Sequence, residues 1–191
     1  MCIRKLRLLG CVLALCMASA LVAEETVLLD ETFSSSLGVF TLEEQPYEGH
    51  TYQSVWHWTT YNAIGYAYIN VNVGSSSQGA CNCKLVSPKI DCSQMDRVTL
   101  TFTHTTYAAS ASDATYLLVE ATNDGITWSQ IPIPTWPTSK WMWVSCEMDL
   151  TDFVASAMQF RFVYISTDSY APAWEIRNVS VVGTTKAIVD S

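Results

Sequence analysis

Val98-Thr99-Leu100-Thr101-Phe102-Thr103-His104-Thr105 alternates a large side chain with a threonine at every step. Successive side chains leave a β-strand on opposite sides, so this period of two marks a strand with one buried face. Two further stretches repeat it. Leu117, Val119 and Ala121 alternate with Tyr116, Leu118 and Glu120, and Met158, Phe160, Phe162 and Tyr164 alternate with Gln159, Arg161, Val163 and Ile165. Strands are also expected at Val27–Phe33, Tyr66–Val73, Trp141–Met148 and Trp174–Val182. Turn-forming clusters separate them at Gly74–Ser77, Ser110–Asp113, Asn123–Gly125, Pro132–Pro137 and Asp168–Pro172. Only Asp149–Ala157 offers a helical turn, once, after Leu150. Roughly nine short strands without an amphipathic helix predict an all-β fold, an antiparallel β-sandwich of jelly-roll type.

The 191 residues carry 10 Lys+Arg against 18 Asp+Glu, a net charge of −8. An acidic chain lacks the cations that hold nucleic acid or an anionic membrane surface by counterion release. Arg4, Lys5 and Arg7 precede the apolar run Leu8–Ala18, and small residues follow at Ala18, Ser19, Ala20 and Ala23. That layout predicts a signal peptide over 1–23, a domain over 24–183 and a short tail over 184–191. After residue 23 no apolar run reaches membrane-spanning length. The expected location is therefore secreted or at the cell surface, with the periplasm as an alternative. Lipid anchoring fits less well, because Cys11 has little apolar sequence before it and Cys16 follows the bulky Leu15.

Losing the first 23 residues removes three positive charges and no negative ones, which leaves 7 against 18, a balance of −11. It also removes Cys2, Cys11 and Cys16 and leaves Cys81, Cys83, Cys92 and Cys146. Four cysteines in an oxidising compartment allow three pairings. A Cys81–Cys83 bond would close a strained loop, so one or both are expected to bond to Cys92 and Cys146. Zinc is the rival reading, although the C-x-x-C spacing of zinc knuckles is absent.

Seven short motifs in order span most of the chain after the leader. They are Asp30-Glu31-Thr32-Phe33; Trp56/Trp58 with Gly65-Tyr66-Ala67-Tyr68-Ile69; Lys84-Leu85-Val86-Ser87-Pro88-Lys89-Ile90-Asp91-Cys92; and Leu100-Thr101-Phe102. The last three are Thr122-Asn123-Asp124-Gly125-Ile126-Thr127-Trp128, Asp149-Leu150-Thr151-Asp152-Phe153 and Trp174-Glu175-Ile176-Arg177-Asn178-Val179. Together they resemble the secreted bacterial β-sandwich family called "choice-of-anchor J", with cleaved-adhesin domains as more distant relatives. The resemblance implies a jelly roll displayed on secreted proteins, serving adhesion or carbohydrate binding. It also implies a structural calcium near the terminal strands, held by Glu31 and by an acid where this chain has Arg177. A guanidinium there removes a ligand and adds repulsion. The expectation is that no cofactor is needed because Arg177 replaces the ion by pairing with Glu31; the plain alternative is an unpartnered surface arginine. Trp174 and Ile176 share one parity while Val179 and Val181 share the other, so a bulge is expected near Arg177-Asn178.

Enzyme-like patterns are sparse. Glu147-x-Asp149-x-x-Asp152 approximates the acid strand of some β-sandwich glycoside hydrolases, but the family resemblance claims Asp149 for a strand end, where the acid caps a turn. His50, His57 and His104 have no metal-ligand spacing, and His104 follows a core parity. No G-x-S-x-G or C-G-S-C motif is present. Catalysis is not expected.

The seven Trp and nine Tyr carry more information. Flat rings stack on the apolar faces of sugars. Trp56/Trp58 and Trp141/Trp143 are i,i+2 pairs, each expected on one side of a strand. Trp56, Trp128, Trp143 and Trp174 are assigned to the core. Trp58, Trp136, Trp141 and Tyr170 are the candidate ligand platform. Two functions follow: a glycan-binding or adhesion module, or a structural domain that meets a surface protein without a small-ligand site.

Overall fold

Eleven strands make up nearly all the regular structure in the computed structural model, which describes residues 23–46, 56–70, 81–107, 116–166 and 172–185. The leader through residue 22, His50, Tyr170 and the tail after Thr185 lie outside the described residues. In chain order the strands are β1 (Glu25–Glu31), β2 (Thr41–Pro46), β3 (His57–Tyr61), β4 (Ile64–Ile69), β5 (Cys81–Val86) and β6 (Arg97–Thr106). They continue as β7 (Leu117–Thr122), β8 (Ser129–Ile131), β9 (Val144–Asp149), β10 (Gln159–Ser166) and β11 (Trp174–Thr184).

Every strand pairing is antiparallel, and the chain passes back and forth between two sheets. The first sheet runs β3-β4-β11-β6-β9, and β1 lies beside β11 beyond the end of β4. The second runs β2-β5-β10-β7-β8. This is an antiparallel β-sandwich of jelly-roll type, as the alternation predicts. The core-facing set on β6 is Val98, Leu100, Phe102 and His104, each at most 1% exposed. Across the sandwich they meet Phe160, Phe162 and Tyr164 of β10, with the Phe102 and Phe162 rings 5.1 Å apart.

The bulge lies where parity requires it. Arg177 pairs with Thr103 but Ser180 pairs with Thr101, so β11 spends one extra residue, and Asn178 takes a left-handed φ of 52°. Trp174 and Ile176 before the bulge and Val179 and Val181 after it are all buried in the same core. The short helical turn after Leu150 is also present, as a 3-10 turn at Thr151–Phe153 with Asp149 Oδ1 accepting from Thr151 N–H (2.9 Å).

The structure departs from the sequence expectations in three places. The β3–β4 hairpin has no local sequence signal, because its Asn62-Ala63 turn lacks the usual glycine, although both residues take positive φ (50° and 62°). The strand expected from Trp141 begins only at Val144, since Trp141 itself sits at φ 59° and ends the extended run. Disulfides from Cys81 or Cys83 to Cys92 and Cys146 are not made: Cys92 and Cys146 are buried free thiols. Cys83 and Cys146 lie on opposite sheets, which pack about 10 Å apart and exceed the roughly 7 Å Cα reach of a disulfide. Cys92 instead turns to Ala155, donating to its carbonyl (3.3 Å). Among the described residues no group of three His, Cys, Asp or Glu is placed to hold a metal.

Candidate binding cleft on the first sheet

The outer face of the first sheet is built by the residues of opposite parity to the core. Tyr66 and Tyr68 come from β4, Glu175 and Arg177 from β11, and Thr103 and Thr105 from β6. Register sets them side by side. Tyr68 lies opposite Glu175 and Glu175 opposite Thr105, while Arg177 lies opposite Thr103. The small threonines keep the floor low on that side. The Asn62-Ala63 turn raises one wall, with Tyr61 71% and Ile64 49% exposed. The left-handed Trp141 and the half-buried Trp143, just before β9, raise the other.

The result is a cleft of about 590 Å³ lined by Tyr61, Asn62, Ile64, Tyr66, Trp141, Trp143, Glu175 and Arg177. That volume suits a small-molecule or sugar-sized ligand. The Trp143 ring meets Tyr66 edge to face at 5.8 Å. The Arg177 guanidinium stacks on Trp143, its carbon 4.1 Å from the ring centroid. Arg177 Nε is sealed from water and finds no hydrogen-bond partner among the described residues. Beside Arg177, burial pushes the Glu175 carboxyl up to about 7, with Arg177 pulling the other way. Burial also raises the Tyr66 and Tyr68 hydroxyls, helped by the Glu175 charge.

The platform residues part company. Trp141, 43% exposed, lines the cleft, and its ring lies 5.7 Å from Tyr107, over which Lys140 stacks. Trp58 turns inward and packs on the core, its indole N–H donating to the Phe33 carbonyl (2.7 Å). Only glycine at position 65 permits that approach, since a Cβ there would run into Phe33 O and the Trp58 indole. Trp136 is likewise half-buried, donating to Ile133 O (3.0 Å) and lying edge-on to His104 at 5.6 Å. His104 is the buried, bonded histidine that its parity predicts. Its Nε2 donates to Thr135 O (2.9 Å), its Nδ1 accepts from Trp174 Nε1–H (3.3 Å), and burial lowers it to about 4.

Trp143 and Trp128 are corrections in the other direction. Their motif positions predict the core for both, as for Trp56 and Trp174, but only the last two are buried. Trp143 flanks β9 on the outer face, and Trp128 lies under Arg161 on the outer face of the second sheet. The Arg177–Glu31 pair is also corrected. Both Glu31 oxygens are taken by the loop after β1, Oε1 by Phe33 N–H (2.7 Å) and Oε2 by Val39 N–H (3.3 Å). Gly38, at φ 60°, leaves room for that carboxylate, where a Cβ would collide with it. Arg177 is therefore left to Trp143 and Glu175. In the hydrolase-like pattern, Asp149 caps the Thr151 turn, which holds its carboxyl below the usual range.

No family model matches the chain, and no curated protein does. Solved structures match its fold. The K1 cleaved adhesin domain of Lys-gingipain from Porphyromonas gingivalis W83 superposes with a TM-score of 0.55 at 17% identity, covering 82% of this chain and 97% of that one. The K3 cleaved adhesin domain of the same protein gives 0.54 at 15% identity over 83% and 99%. The CBM22-1 xylan-binding domain from Paenibacillus barcinonensis gives 0.50 at 12% identity over 89% and 100%. At such identities the likeness is one of fold.

Proposed function

We infer that the chain is a non-catalytic binding module that takes glycans in the cleft between Tyr61 and Trp141. The observation that carries this reading is the cleft itself: aromatic rings around a polar floor whose arginine has no salt bridge among the described residues. Sugars offer stacking faces to the rings and hydroxyls to Glu175 and Arg177. The shared fold with a xylan-binding domain and with cleaved adhesin domains supports it. So does the ordered motif resemblance to choice-of-anchor J domains, which also supports export by a leader over 1–23 and a domain over 24–183. Of the expected ligand platform Trp141 stays in the cleft, Trp58 and Trp136 turn to the core, Tyr170 lies outside the described residues, and Trp143, Tyr66, Glu175 and Arg177 join the set.

A glycan array followed by titration calorimetry tests it. Trp141→Ala and Trp143→Ala are each expected to weaken binding roughly tenfold or more, as truncation of a buried stacking anchor does. Trp136→Ala serves as the folding control. No bound glycan, or binding indifferent to both cleft substitutions, overturns the reading. The second reading, docking to a surface protein without a small-ligand site, draws on Trp58 and Trp136, both held against the core. It is favoured if Trp141→Ala abolishes a protein contact while no glycan binds.

A further inference from the structure

We propose that the cleft receives a sugar bearing a carboxylate, with Arg177 forking onto that group while the ring stacks on Trp143 and Tyr66. This rests on the glycan-binding reading and adds the ligand's charge. The chain has few cations, yet one is placed in the cleft floor with no salt bridge among the described residues. The ion pairs among the described residues all lie on the other sheet, where Glu43 and Glu120 hold Lys84 and Arg161. Glu31, the acid expected to neutralise Arg177, is consumed by the Phe33–Val39 loop. The guanidinium is intrinsically planar and presents its N–H donors as a fork that meets a carboxylate in two parallel bonds, and its place over Trp143, 4.1 Å from the ring centroid, holds it at the cleft. Lys140, stacked on Tyr107 beside Trp141, adds a second positive charge at the end of the same aromatic strip.

Glu175 is the one acid in the lining. Protonated, it is a hydrogen-bond donor and leaves Arg177 its full charge; ionised, it competes with the ligand. Binding of a carboxylate therefore takes up a proton here, and affinity falls as pH rises through about 7. Of the other titratable groups facing this floor, His57 of β3 lies against Tyr68 at 5.1 Å, and Tyr61, Tyr66 and Tyr68 carry hydroxyls. β9 presents Glu147 outward, and β6 contributes only threonines. His57→Gln is therefore paired with Glu175→Gln as a control.

Polygalacturonate, alginate and glucuronoxylan are titrated against the purified protein between pH 5 and 8, each beside a sample whose carboxylates have been reduced to alcohols. The expected result is binding that weakens roughly tenfold or more on carboxyl reduction, the size of a lost charge-assisted pair. Arg177→Gln removes the preference, Arg177→Lys restores only part of it, and Glu175→Gln flattens the fall with pH while His57→Gln leaves most of it. Equal, Trp143-dependent binding of acidic and reduced polymers overturns this inference and leaves the glycan reading standing. Binding of acidic polymers that ignores both Arg177 substitutions also overturns it, as does equal binding of sulfated glycans without carboxylates. Absence of binding to every glycan overturns both readings.

Discussion

Each outer face of the sandwich carries an arginine stacked on a tryptophan, and the two are finished differently. On the second sheet Arg161 lies 3.9 Å over the Trp128 ring and bonds Glu120 (2.7 Å) and Glu43 (3.4 Å), with Lys84 also held by Glu43 (2.6 Å). On the first, Arg177 lies 4.1 Å over Trp143, and among the described residues no carboxylate is in bonding range and its Nε is unpartnered. The same stack thus does two jobs. Saturated with acids, it fastens β2, β7 and β10 together. Left unsaturated in a cleft, it keeps binding capacity for something outside the chain.

The largest effect expected from this contrast is on stability. Removing Glu120 leaves the Arg161 side chain, only 11% exposed, with just the longer contact to Glu43, so Glu120→Ala should cost about 2 kcal/mol, short of the 3–5 of a fully buried pair. Arg177→Ala should change stability by less than about 1 kcal/mol, because a lost cation–π contact is offset by relief of a sealed, unbonded Nε. Urea denaturation of both variants checks the pair. Equal losses would dissolve the distinction.

A medium effect is expected in the pH dependence. Glu175 is raised from 4.5 to about 7, so the folded state binds a proton that the unfolded state releases. Its contribution to stability is full below about 4.5 and is lost as pH rises towards 7. His104 is lowered from 6.5 to about 4, so its contribution is present above 6.5 and lost as pH falls towards 4. The two oppose each other in the parent protein. Glu175→Gln should leave the His104 limb alone, so the variant gains on the parent as pH rises from 4.5 to 7.5, read from urea midpoints. A gap that stays constant with pH would place Glu175 in water instead of the cleft wall.

Smallest of all is the response to calcium. With both Glu31 oxygens bonded to backbone N–H groups and Arg177 on the adjoining strand, millimolar calcium should leave the melting temperature unchanged. A rise on adding the ion would break the account of Arg177 as a ligand-facing cation.

Much of this was legible in the sequence. Period-two alternation is a local property, so Val98–Thr105 and Met158–Ile165 announced their strands and their core faces. The parity switch between Ile176 and Val179 announced a bulge. Asp149 could be read as a cap because its partner, Thr151, is two residues away. The Asn62-Ala63 hairpin was missed for want of a glycine, and with it one wall of the cleft.

The tryptophans show where legibility ends. Trp58 and Trp136 are fastened to carbonyls of Phe33 and Ile133, and Trp143 is covered by an arginine from β11. Alternation says that neighbours face opposite ways, but not which loop will fold over a ring. The sequence alone determined the fold class, the faces of the strands and the bulge beside Arg177, because each depends on residues within a few positions of one another. Tertiary structure alone decided that Glu31 turns into its own loop, that Cys92 and Cys146 stay thiols and that Arg177 meets Trp143 and Glu175. Those outcomes depend on register between strands far apart in the chain, where a difference of one residue exchanges every partner.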